Sequence, residues 1–408
     1  MRQAIRAAIL AALVAWAPAL AAQSPKVYVM TMGPGEAVWE RFGHNAIWIE
    51  DPSDGTSVSY NYGLFDFEQE NFFRNFAQGR MLYWMGGFPA LPYASMYVRQ
   101  DRSVWVQELA LTPAQAAELR RFLEWNAEPA HKHYRYDYYR DNCSTRVRDA
   151  LDRVLGGAIR ARYDTAMTPH DYRWHTRRLT AAAPLTYAGI DLALGHPVDR
   201  PISEWEAQFL PLELQRGLRG LSVNAADGRA APLVAREFAL HESTTFADRP
   251  APPRWLPWFL LLGTLIGAAA LALGRAAARA TKGRAARRTF GALAGGWALL
   301  TGVAGLVLAG LWALTDHVAA SRNENVLQAN LLALPLAFAI IGLVMGRPRA
   351  ARAARALAVV VAAVSVLGML LQVLPGLDQA NGEMIALFLP AHLGVAAGTL
   401  ALARGYRV

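Results

Sequence analysis

The stretch Tyr139-Arg140-Asp141-Asn142-Cys143-Ser144-Thr145-Arg146 contains the one cysteine of the 408-residue sequence. A lone thiol cannot form an intrachain disulfide, so it is either a small buried side chain or a reactive group. Asn142 is a preferred helix N-cap, and apolar residues then recur at helical spacing as far as Val154. We therefore predict a helix from Cys143 to about residue 155, with the thiol in its first turn.

The first turn of a helix is a favourable place for a nucleophile. The helix dipole and the free backbone N–H groups favour a thiolate and lower the thiol pKa. The same N–H groups can donate hydrogen bonds to an oxyanion. Cys143 is therefore the predicted nucleophile, and Asn142 and Ser144, on either side of it, mark the predicted oxyanion site at the helix N-terminus.

A histidine is available upstream, on a predicted hairpin. Residues 46–50 and 57–62 have strand patterns, and a strong turn signal over residues 51–55 joins them. His44 lies at the entry to the first strand, beside the end of the second strand near Asn61. A thiol at a helix start with a histidine at a strand start is the layout of a papain-like site, which makes His44 the predicted base. Asn61 is the preferred third, orienting residue, with Asn45 and Asp66 as alternatives.

Other histidines suggest different chemistry. His131 and His133 are closer to Cys143 in the sequence and compete with His44 as the base. A His-x-His pair can also bind a metal, but no third ligand follows at motif spacing, so we expect neither a metal nor a cofactor. His170 and His175 flank an aromatic loop, and we expect them to be structural. The sequence lacks Gly-x-Ser-x-Gly, a phosphate-binding glycine loop and His-Glu-x-x-His.

The composition indicates a membrane protein. The chain is 54% hydrophobic and only 18% charged, although its net charge is +9. The positive charge is concentrated in the short segments 275–288 and 347–355 and in the C-terminal tail, and the rest of the chain is net negative. This distribution excludes the basic surface that nucleic-acid binding requires.

The chain divides into three parts by composition. Residues 1–22 have the pattern of a signal peptide, with an uncleaved anchor helix as the alternative. Residues 23–250 are mixed in polarity and predict an α+β domain. Residues 251–408 predict an all-α domain of five membrane spans, near residues 255–273, 290–314, 326–346, 353–374 and 384–403.

The charges of the loops predict the orientation in the membrane. Basic loops between membrane spans stay in the cytoplasm, and here the loops 274–289 and 347–352 and the tail are basic. The first span must then start outside, which places residues 23–250 on the extracytoplasmic side. The signal peptide predicts the same side.

The motifs resemble those of one known family, the bacterial lipoprotein N-acyltransferase Lnb family. The resemblance spans roughly residues 25–220 and is most specific at the cysteine run, and a C-terminal block of membrane helices also fits the family. The matching runs are Arg41-Phe42-Gly43-His44-Asn45, Tyr62-Gly63-Leu64-Phe65-Asp66-Phe67, Asp141-Asn142-Cys143-Ser144-Thr145-Arg146 with Asp149, Gly189-Ile190-Asp191-Leu192 through Gly195, and Gln208-Phe209-Leu210-Pro211.

The resemblance implies a fold and an activity. The fold would be a permuted papain-like (NlpC/P60-like) thiol domain, followed by the five-helix transmembrane domain, in the bacterial inner membrane with the catalytic domain on the periplasmic side. The activity would be transfer of a fatty acyl chain from a membrane phospholipid, through a Cys143 thioester, to the N-terminal amine of a diacylglyceryl-modified lipoprotein. The alternatives are a periplasmic cysteine hydrolase of peptide, peptidoglycan amide or phospholipid ester, and a non-catalytic membrane scaffold or sensor.

Two further features carry weaker expectations. The aromatic-rich stretch from Phe72 to Phe88 is either an acyl-chain groove or membrane-facing lip, or ordinary core and surface loop. Gln372 and His392 lie in predicted spans, where polar side chains usually face the bundle interior. For both we expect hydrogen bonding between helices rather than contact with a substrate.

Overall fold

The computed structural model describes residues 24–224, 229–279 and 284–405. The predicted signal peptide, residues 1–22, lies outside them. The chain forms two compact units. The first, which we call the sheet unit, comprises residues up to Asp66, Leu82–Met167 and Ser203–Asp248, and the second, the helical unit, comprises Phe67–Met81, Thr168–Ile202 and Arg249–Val408.

The sheet unit is built on a seven-stranded sheet in which every neighbouring pair is antiparallel, in the order β6-β4-β3-β2-β1-β5-β9. A separate two-stranded ribbon pairs β7 with β8. The strands are β1 (Lys26–Met32), β2 (His44–Asp51), β3 (Thr56–Leu64), β4 (Leu82–Pro89), β5 (Val104–Leu109), β6 (His133–Arg135), β7 (Ser222–Asn224), β8 (Ala230–Pro232) and β9 (Val234–His241).

Helices cover the centre of this sheet. The inner strand β1, which lies between β2 and β5, is buried at six successive positions, so both of its faces are covered. One face packs against Ala90–Arg99, through a core that includes Met30, Ala46 and Tyr93. The α-helices of the unit are Ala90–Arg99, Pro113–Ala127, Cys143–Val154, Ala158–Tyr163, Glu204–Ala207 and Pro211–Arg219, and Val38–Glu40 is a 3-10 turn.

The local predictions for this unit are confirmed. The hairpin of β2 and β3 forms, with Ala46 opposite Asn61. The helix Pro113–Ala127 begins after Thr112, whose side chain accepts a hydrogen bond from the Gln115 N–H in a capping box. The helix Cys143–Val154, which we call the cysteine helix, begins at the predicted residue and contacts β2 and β3.

The helical unit contains four helices that are long and apolar enough to cross a bilayer, among the residues that the structure describes. They are Leu256–Arg279, Arg284–Leu314, Pro348–Leu371 and Gly382–Ala403. The π-helical segment Gly291–Gly295 lies within the second. The other elements of the unit are the helices Phe72–Ala77, Tyr172–Thr180, Pro184–Ala193 and Ala333–Val344 and the 3-10 turns His196–Val198, Val318–Ala320 and Glu324–Leu327.

The sequence predicts five membrane-spanning helices, whereas four helices in the described residues are long enough to cross a bilayer. The predicted span near 326–346 contains the helix Ala333–Val344, whose 12 residues fall short of the roughly 20 that a straight helical crossing needs. The remainder of that apolar stretch is the 3-10 turn Glu324–Leu327 and a short irregular connection.

Glycines allow the first and last long helices to pack closely. A Cβ atom on Gly274 would overlap the backbone of Gly398, and one on Gly267 would overlap the carbonyl oxygen of Pro390. Small residues at such positions let two helix backbones approach in a membrane, where association depends on close packing rather than on the hydrophobic effect. The pairing of Leu256–Arg279 with Gly382–Ala403 therefore depends on these glycines.

Candidate active site

Cys143 is the first residue of its helix, and Asn142 caps that helix. The Asn142 side-chain oxygen accepts hydrogen bonds from the backbone N–H groups of Ser144 and Thr145, both at 2.9 Å. In return, the Asn142 N–H donates to the Thr145 hydroxyl at 2.8 Å. This reciprocal cap fixes the direction in which the chain enters the helix. The predicted position of the thiol in the first turn is confirmed.

Further hydrogen bonds attach the helix start to a distant segment. The Asn142 amide donates to the carbonyl oxygens of Tyr138 and Phe209, both at 2.9 Å. The Ser144 hydroxyl donates to the carbonyl oxygen of Gln208 at 2.7 Å. Asn142 and Ser144 are both buried, so these bonds are shielded from water. Their side chains therefore fix the start of the helix, and with it the position of the thiol.

Three backbone N–H groups, those of Asn45, Cys143 and Ser144, donate toward the Cys143 sulfur. The Asn45 group comes from β2 and was missed by sequence reasoning, because the contact joins residues far apart in the chain. When the sulfur attacks a carbonyl carbon, converging N–H groups of this kind can donate hydrogen bonds to the resulting oxyanion.

The expected lowering of the thiol pKa is not found. The side chain of Cys143 is 9% exposed, and burial raises its pKa to about 11. The three N–H groups and the Arg102 guanidinium act in the opposite direction but do not outweigh the loss of hydration. The thiol is therefore protonated in this structure at neutral pH.

The predicted base, His44, is held by Asn61. The distance from His44 Nε2 to Asn61 Oδ1 is 3.2 Å. The Asn61 amide nitrogen donates to the carbonyl oxygen of Ser59 at 2.9 Å and to its hydroxyl at 3.0 Å, so the amide oxygen is the atom that faces His44. His44 Nε2 must then carry the hydrogen, which leaves Nδ1 as the proton acceptor.

A tyrosine-lined wall surrounds His44. Its ring stacks on Tyr97 at a centroid distance of 6.1 Å, and the Tyr93 hydroxyl is 3.4 Å from Nε2. Burial lowers the His44 pKa to about 4. The hydrogen bond that His44 donates to Asn61 opposes this shift, and the charge of Arg102 adds to it. The imidazole is therefore neutral at pH 7, which is the form that accepts a proton.

The hairpin places the backbone of the residue that follows His44 at the thiol. Asn45, which follows His44, donates to the Cys143 sulfur. The register that sets Ala46 opposite Asn61 places His44 opposite Gly63 when it is continued by two residues. A Cβ atom on Gly63 would lie 3.4 Å from that of Cys143, and Gly63 has a φ of +84° at an irregularity in the pairing of β3 with β4. Glycine therefore allows the sheet to bend beside the thiol.

A row of aromatic rings extends from this point to the surface. Tyr136, which lies next to Gly63, stacks on Tyr83 at 4.3 Å, and Tyr83 stacks on Phe65 at 5.0 Å. Phe65 contacts the edge of Trp39, which is 60% exposed. The sequence shows the tyrosines of residues 134–139, but the row combines three separated segments, so only the folded chain reveals it.

Tyr134 is a second residue that sequence reasoning missed. Its ring is buried, and its hydroxyl has no hydrogen-bond partner among the described residues. Burial raises its pKa well above the usual value, and the charge of Cys143 is the next contribution, so the two groups are close. A buried hydroxyl without a hydrogen-bond partner costs free energy. A ligand that accepts a hydrogen bond from Tyr134 would remove this cost.

The side chains of the alternative site residues make other contacts or are exposed. The Asn45 side chain donates to the Thr31 hydroxyl at 2.9 Å, and Asp66 is exposed beyond the end of β3. His131 stacks on Trp125, and His133 is exposed on β6. Neither histidine has a contact with Cys143 among the described residues.

The two weaker expectations have different outcomes. The stretch from Phe72 to Phe88 is divided between the units: Phe72–Ala77 belongs to the helical unit, and Leu82–Pro89 is strand β4 of the sheet unit. In the helical unit, Gln372 donates to the Glu324 carboxylate at 2.7 Å, as expected of a side chain that bonds between elements. The expectation is wrong for His392, which is buried among apolar helices and has no hydrogen-bond partner at either ring nitrogen among the described residues.

His170 and His175 lie in the segment Thr168–Ile202 of the helical unit, where His170 stacks on Trp174 at 3.5 Å. In the described ranges, no three side chains of His, Cys, Asp or Glu come together as a metal site requires.

Comparisons with known proteins assign both parts of the chain. The Lnb N-terminal periplasmic domain matches residues 12–179, and the Lnb transmembrane domain matches residues 266–391. Comparison with curated proteins and with solved structures found no match. Two domains of one family in their order, together with four apolar helices, make the chain a multi-pass membrane protein with a periplasmic domain. The chain belongs to the Lnb family.

Proposed function

We propose that the chain is a thiol-dependent N-acyltransferase that moves a fatty acyl chain from a membrane phospholipid to the N-terminal amine of a diacylglyceryl-modified lipoprotein. The observation that carries the proposal is the arrangement at the thiol: His44 oriented by Asn61, beside a sulfur toward which three backbone N–H groups donate. A site of this kind attacks an acyl carbonyl and stabilises the resulting oxyanion.

In the first step His44 Nδ1 takes the thiol proton as the Cys143 sulfur attacks the ester carbonyl carbon. A C–S bond forms, and the N–H groups of Asn45 and Cys143 hold the oxyanion. The ester C–O bond then breaks, and the lysophospholipid alkoxide leaves with the proton from His44. The product is an acyl thioester on Cys143.

In the second step the neutral lipoprotein amine attacks the thioester carbonyl carbon. A C–N bond forms, the C–S bond breaks, and the amine proton passes through His44 to the Cys143 sulfur. The thiol is restored, and the lipoprotein carries an amide-linked acyl chain. Both substrates are anchored in the membrane, so attachment of the enzyme to the same bilayer favours their encounter.

The ionisation of the resting site indicates how the proton moves. The Cys143 pKa of about 11 and the His44 pKa of about 4 favour the neutral thiol and neutral imidazole over an ion pair. Proton transfer therefore accompanies the attack, as it does when a histidine activates a serine. The hydrogen bonds from the fixed N–H groups strengthen as negative charge develops on the substrate oxygen.

The aromatic row supplies a path for the acyl chain. It begins beside Gly63 at the thiol and ends at the exposed Trp39. The edges of the stacked rings of Phe65 and Tyr83 offer the apolar contact that a fatty acyl chain needs. We place the phospholipid acyl chain along this row.

The finer features of the architecture are part of the proposal. The sheet unit would be a permuted papain-like (NlpC/P60-like) fold, because its histidine strand precedes its cysteine helix in the chain. A fifth membrane crossing would combine Ala333–Val344 with the 3-10 turn Glu324–Leu327. Asn325 and Gln328 in this region are buried, and non-helical backbone at membrane depth is tolerated where protein covers it. The basic loops then lie in the cytoplasm, with the protein in the bacterial inner membrane.

The test is complementation of a strain depleted of its own apolipoprotein N-acyltransferase, with mass spectrometry of lipoprotein N-terminal peptides. Wild type should yield N-acylated peptides. Cys143→Ser and His44→Gln should yield none, and Asn61→Ala should lower the yield about tenfold or more, because the imidazole loses its orienting partner. His133→Gln is the matched control, since it removes an exposed histidine of the same unit.

A second measurement separates the alternatives. The purified full chain, mixed with phospholipid, should carry an acyl mass on Cys143 that hydroxylamine removes. Acylated Cys143 that yields only free fatty acid when a diacylated lipopeptide is added would establish a hydrolase instead. If the chain is not acylated and does not complement the depleted strain, the membrane scaffold is the remaining alternative. Full activity of Cys143→Ser would disprove the thioester mechanism.

A further inference from the structure

A groove of about 820 Å³ lies in the helical unit, between the helix Arg284–Leu314 and the helix Ala333–Val344. One wall is a single helix face, because its residues recur three and four positions apart. That face begins with three arginines, Arg284, Arg287 and Arg288, and continues with small and apolar residues to Leu299. The opposite wall is apolar and includes Phe338, Ile341 and Val344.

The charge of the groove is concentrated at one end. None of the described residues that line it is acidic, and the sequence from 275 to 288 contains six basic residues and no acidic one. By the positive-inside rule this end faces the cytoplasm. The groove therefore has a cationic mouth at the cytoplasmic membrane surface and an apolar body inside the membrane.

The dimensions suit one kind of molecule. At 1.5 Å per residue, the face from Arg288 to Leu299 is roughly 17 Å long. This is close to half of the roughly 30 Å hydrocarbon core of a bilayer, which is the length of one leaflet's acyl chains. The π-helical segment Gly291–Gly295 forms part of the wall, and its glycines leave room where side chains would fill the groove.

We propose that this groove binds an anionic phospholipid of the cytoplasmic leaflet, with its phosphate at Arg284, Arg287 and Arg288 and an acyl chain along the glycine-lined wall. Basic clefts between transmembrane helices on the cytoplasmic side attract anionic head groups, and the apolar body excludes a free phosphate as the preferred ligand. The site is distinct from the thiol site and does not depend on the proposed acyl transfer.

The test uses the full chain in neutral detergent, with phosphatidylglycerol and phosphatidylcholine of identical chains, and counts bound lipid by native mass spectrometry. Phosphatidylglycerol should be bound about tenfold more than phosphatidylcholine at equal concentration, given the contribution of basic residues to anionic lipid binding. The triple variant Arg284→Gln, Arg287→Gln, Arg288→Gln should lose this preference. The triple variant Arg347→Gln, Arg349→Gln, Arg352→Gln is the matched control, because it removes the same charge from residues that do not line the groove.

A further variant tests the groove with all arginines present. A Cβ atom on Gly296 would meet nothing within 4 Å, so Gly296→Leu projects into the groove without a clash at its base. It should reduce phosphatidylglycerol binding several-fold. Equal binding of the two lipids, binding that survives the first triple variant, equal loss in the control, or full binding by Gly296→Leu would each overturn the proposal.

Discussion

At the scale of single residues, a substitution of Tyr134 should slow the reaction without lowering the stability of the fold. Its buried hydroxyl has no partner, so Tyr134→Phe removes a polar group that costs free energy in the folded state. We expect the variant to unfold at the same temperature as wild type or slightly above it. If the hydroxyl donates to the oxyanion, formation of the Cys143 thioester should slow about tenfold.

The control for this prediction is Tyr138→Phe, which removes the hydroxyl of a partly exposed tyrosine in the same segment. The measurements are the rate of acyl-enzyme formation and thermal unfolding of the full chain in detergent. A rate unchanged by Tyr134→Phe would show that the hydroxyl takes no part in the reaction.

The pH dependence of the reaction also belongs to one residue. His44 faces Asn61, Tyr93, Tyr97 and the charge of Arg102, and burial lowers its pKa to about 4. A base acts in its neutral form, so activity should persist above the folded-state pKa and be lost as the pH falls through it. Thioester formation should be nearly constant from about pH 6 to pH 8 and half-maximal near pH 4.

The rate is measured after brief exposure to each pH, with recovery at pH 7.5 as the control for unfolding. A midpoint near 6.5, the ordinary histidine pKa, would contradict the buried environment of His44.

At the scale of elements, the start of the cysteine helix is held by several buried hydrogen bonds. Asn142→Ala removes the cap of two backbone N–H groups and the donors to the carbonyls of Tyr138 and Phe209. A lost cap costs about 1 kcal/mol, and buried carbonyls without donors raise the total to about 3 kcal/mol. Thr112→Ala, at a helix cap with one N–H bond, should cost about 1 kcal/mol.

Thermal unfolding in detergent compares the two variants. The fall in Tm should be clearly larger for Asn142→Ala than for Thr112→Ala. Equal falls would mean that the bonds to Tyr138 and Phe209 contribute nothing beyond the cap.

A second element, the short helix Phe72–Ala77, presents aromatic side chains to the surface. Phe73 is 72% exposed and Phe76 is 44% exposed. The helix is joined to the loop after Leu314, because the Asp316 N–H donates to the Gln78 carbonyl at 2.8 Å and His317 bonds the Phe76 carbonyl at 2.8 Å. That loop follows a membrane helix, so we expect these rings at the membrane interface.

A spin label tests this expectation, because Cys143→Ser gives a cysteine-free chain. Attached at Phe73→Cys in lipid nanodiscs, the label should be more accessible to oxygen than to a water-soluble nickel complex. A label at Ala114→Cys, on an exposed position of the helix Pro113–Ala127, should show the reverse. Equal accessibility at both positions would rule out a membrane-facing lip.

At the scale of the whole molecule, the number of crossings decides which side of the membrane each loop faces. With five crossings Asp378 lies on the periplasmic side and Arg349 in the cytoplasm, and both are exposed. The test uses spheroplasts that express the Cys143→Ser chain with one new cysteine. Asp378→Cys should react with an impermeant maleimide, and Arg349→Cys should react only after permeabilisation. Reaction of Arg349→Cys from outside would show that Ala333–Val344 does not complete a crossing.

The fold was predictable where the signals are local. The cap at Asn142, the hairpin around His44 and the apolar helices each depend on residues close together in the chain, and the structure has all of them. The division into units was less accessible, because Phe67–Met81 and Thr168–Ile202 belong to the helical unit although neither is an apolar span. Their place depends on contacts with distant residues.

The sequence by itself therefore determined which residues begin the cysteine helix, where the histidine strand starts and which segments can enter a membrane, since capping, alternation and hydropathy act over a few residues. Only the tertiary structure decided that Asn61 presents its oxygen to His44, that the Asn45 N–H points at the sulfur and that burial raises the thiol pKa. These properties arise from packing between segments far apart in the chain, which sets hydration and hydrogen-bond geometry together.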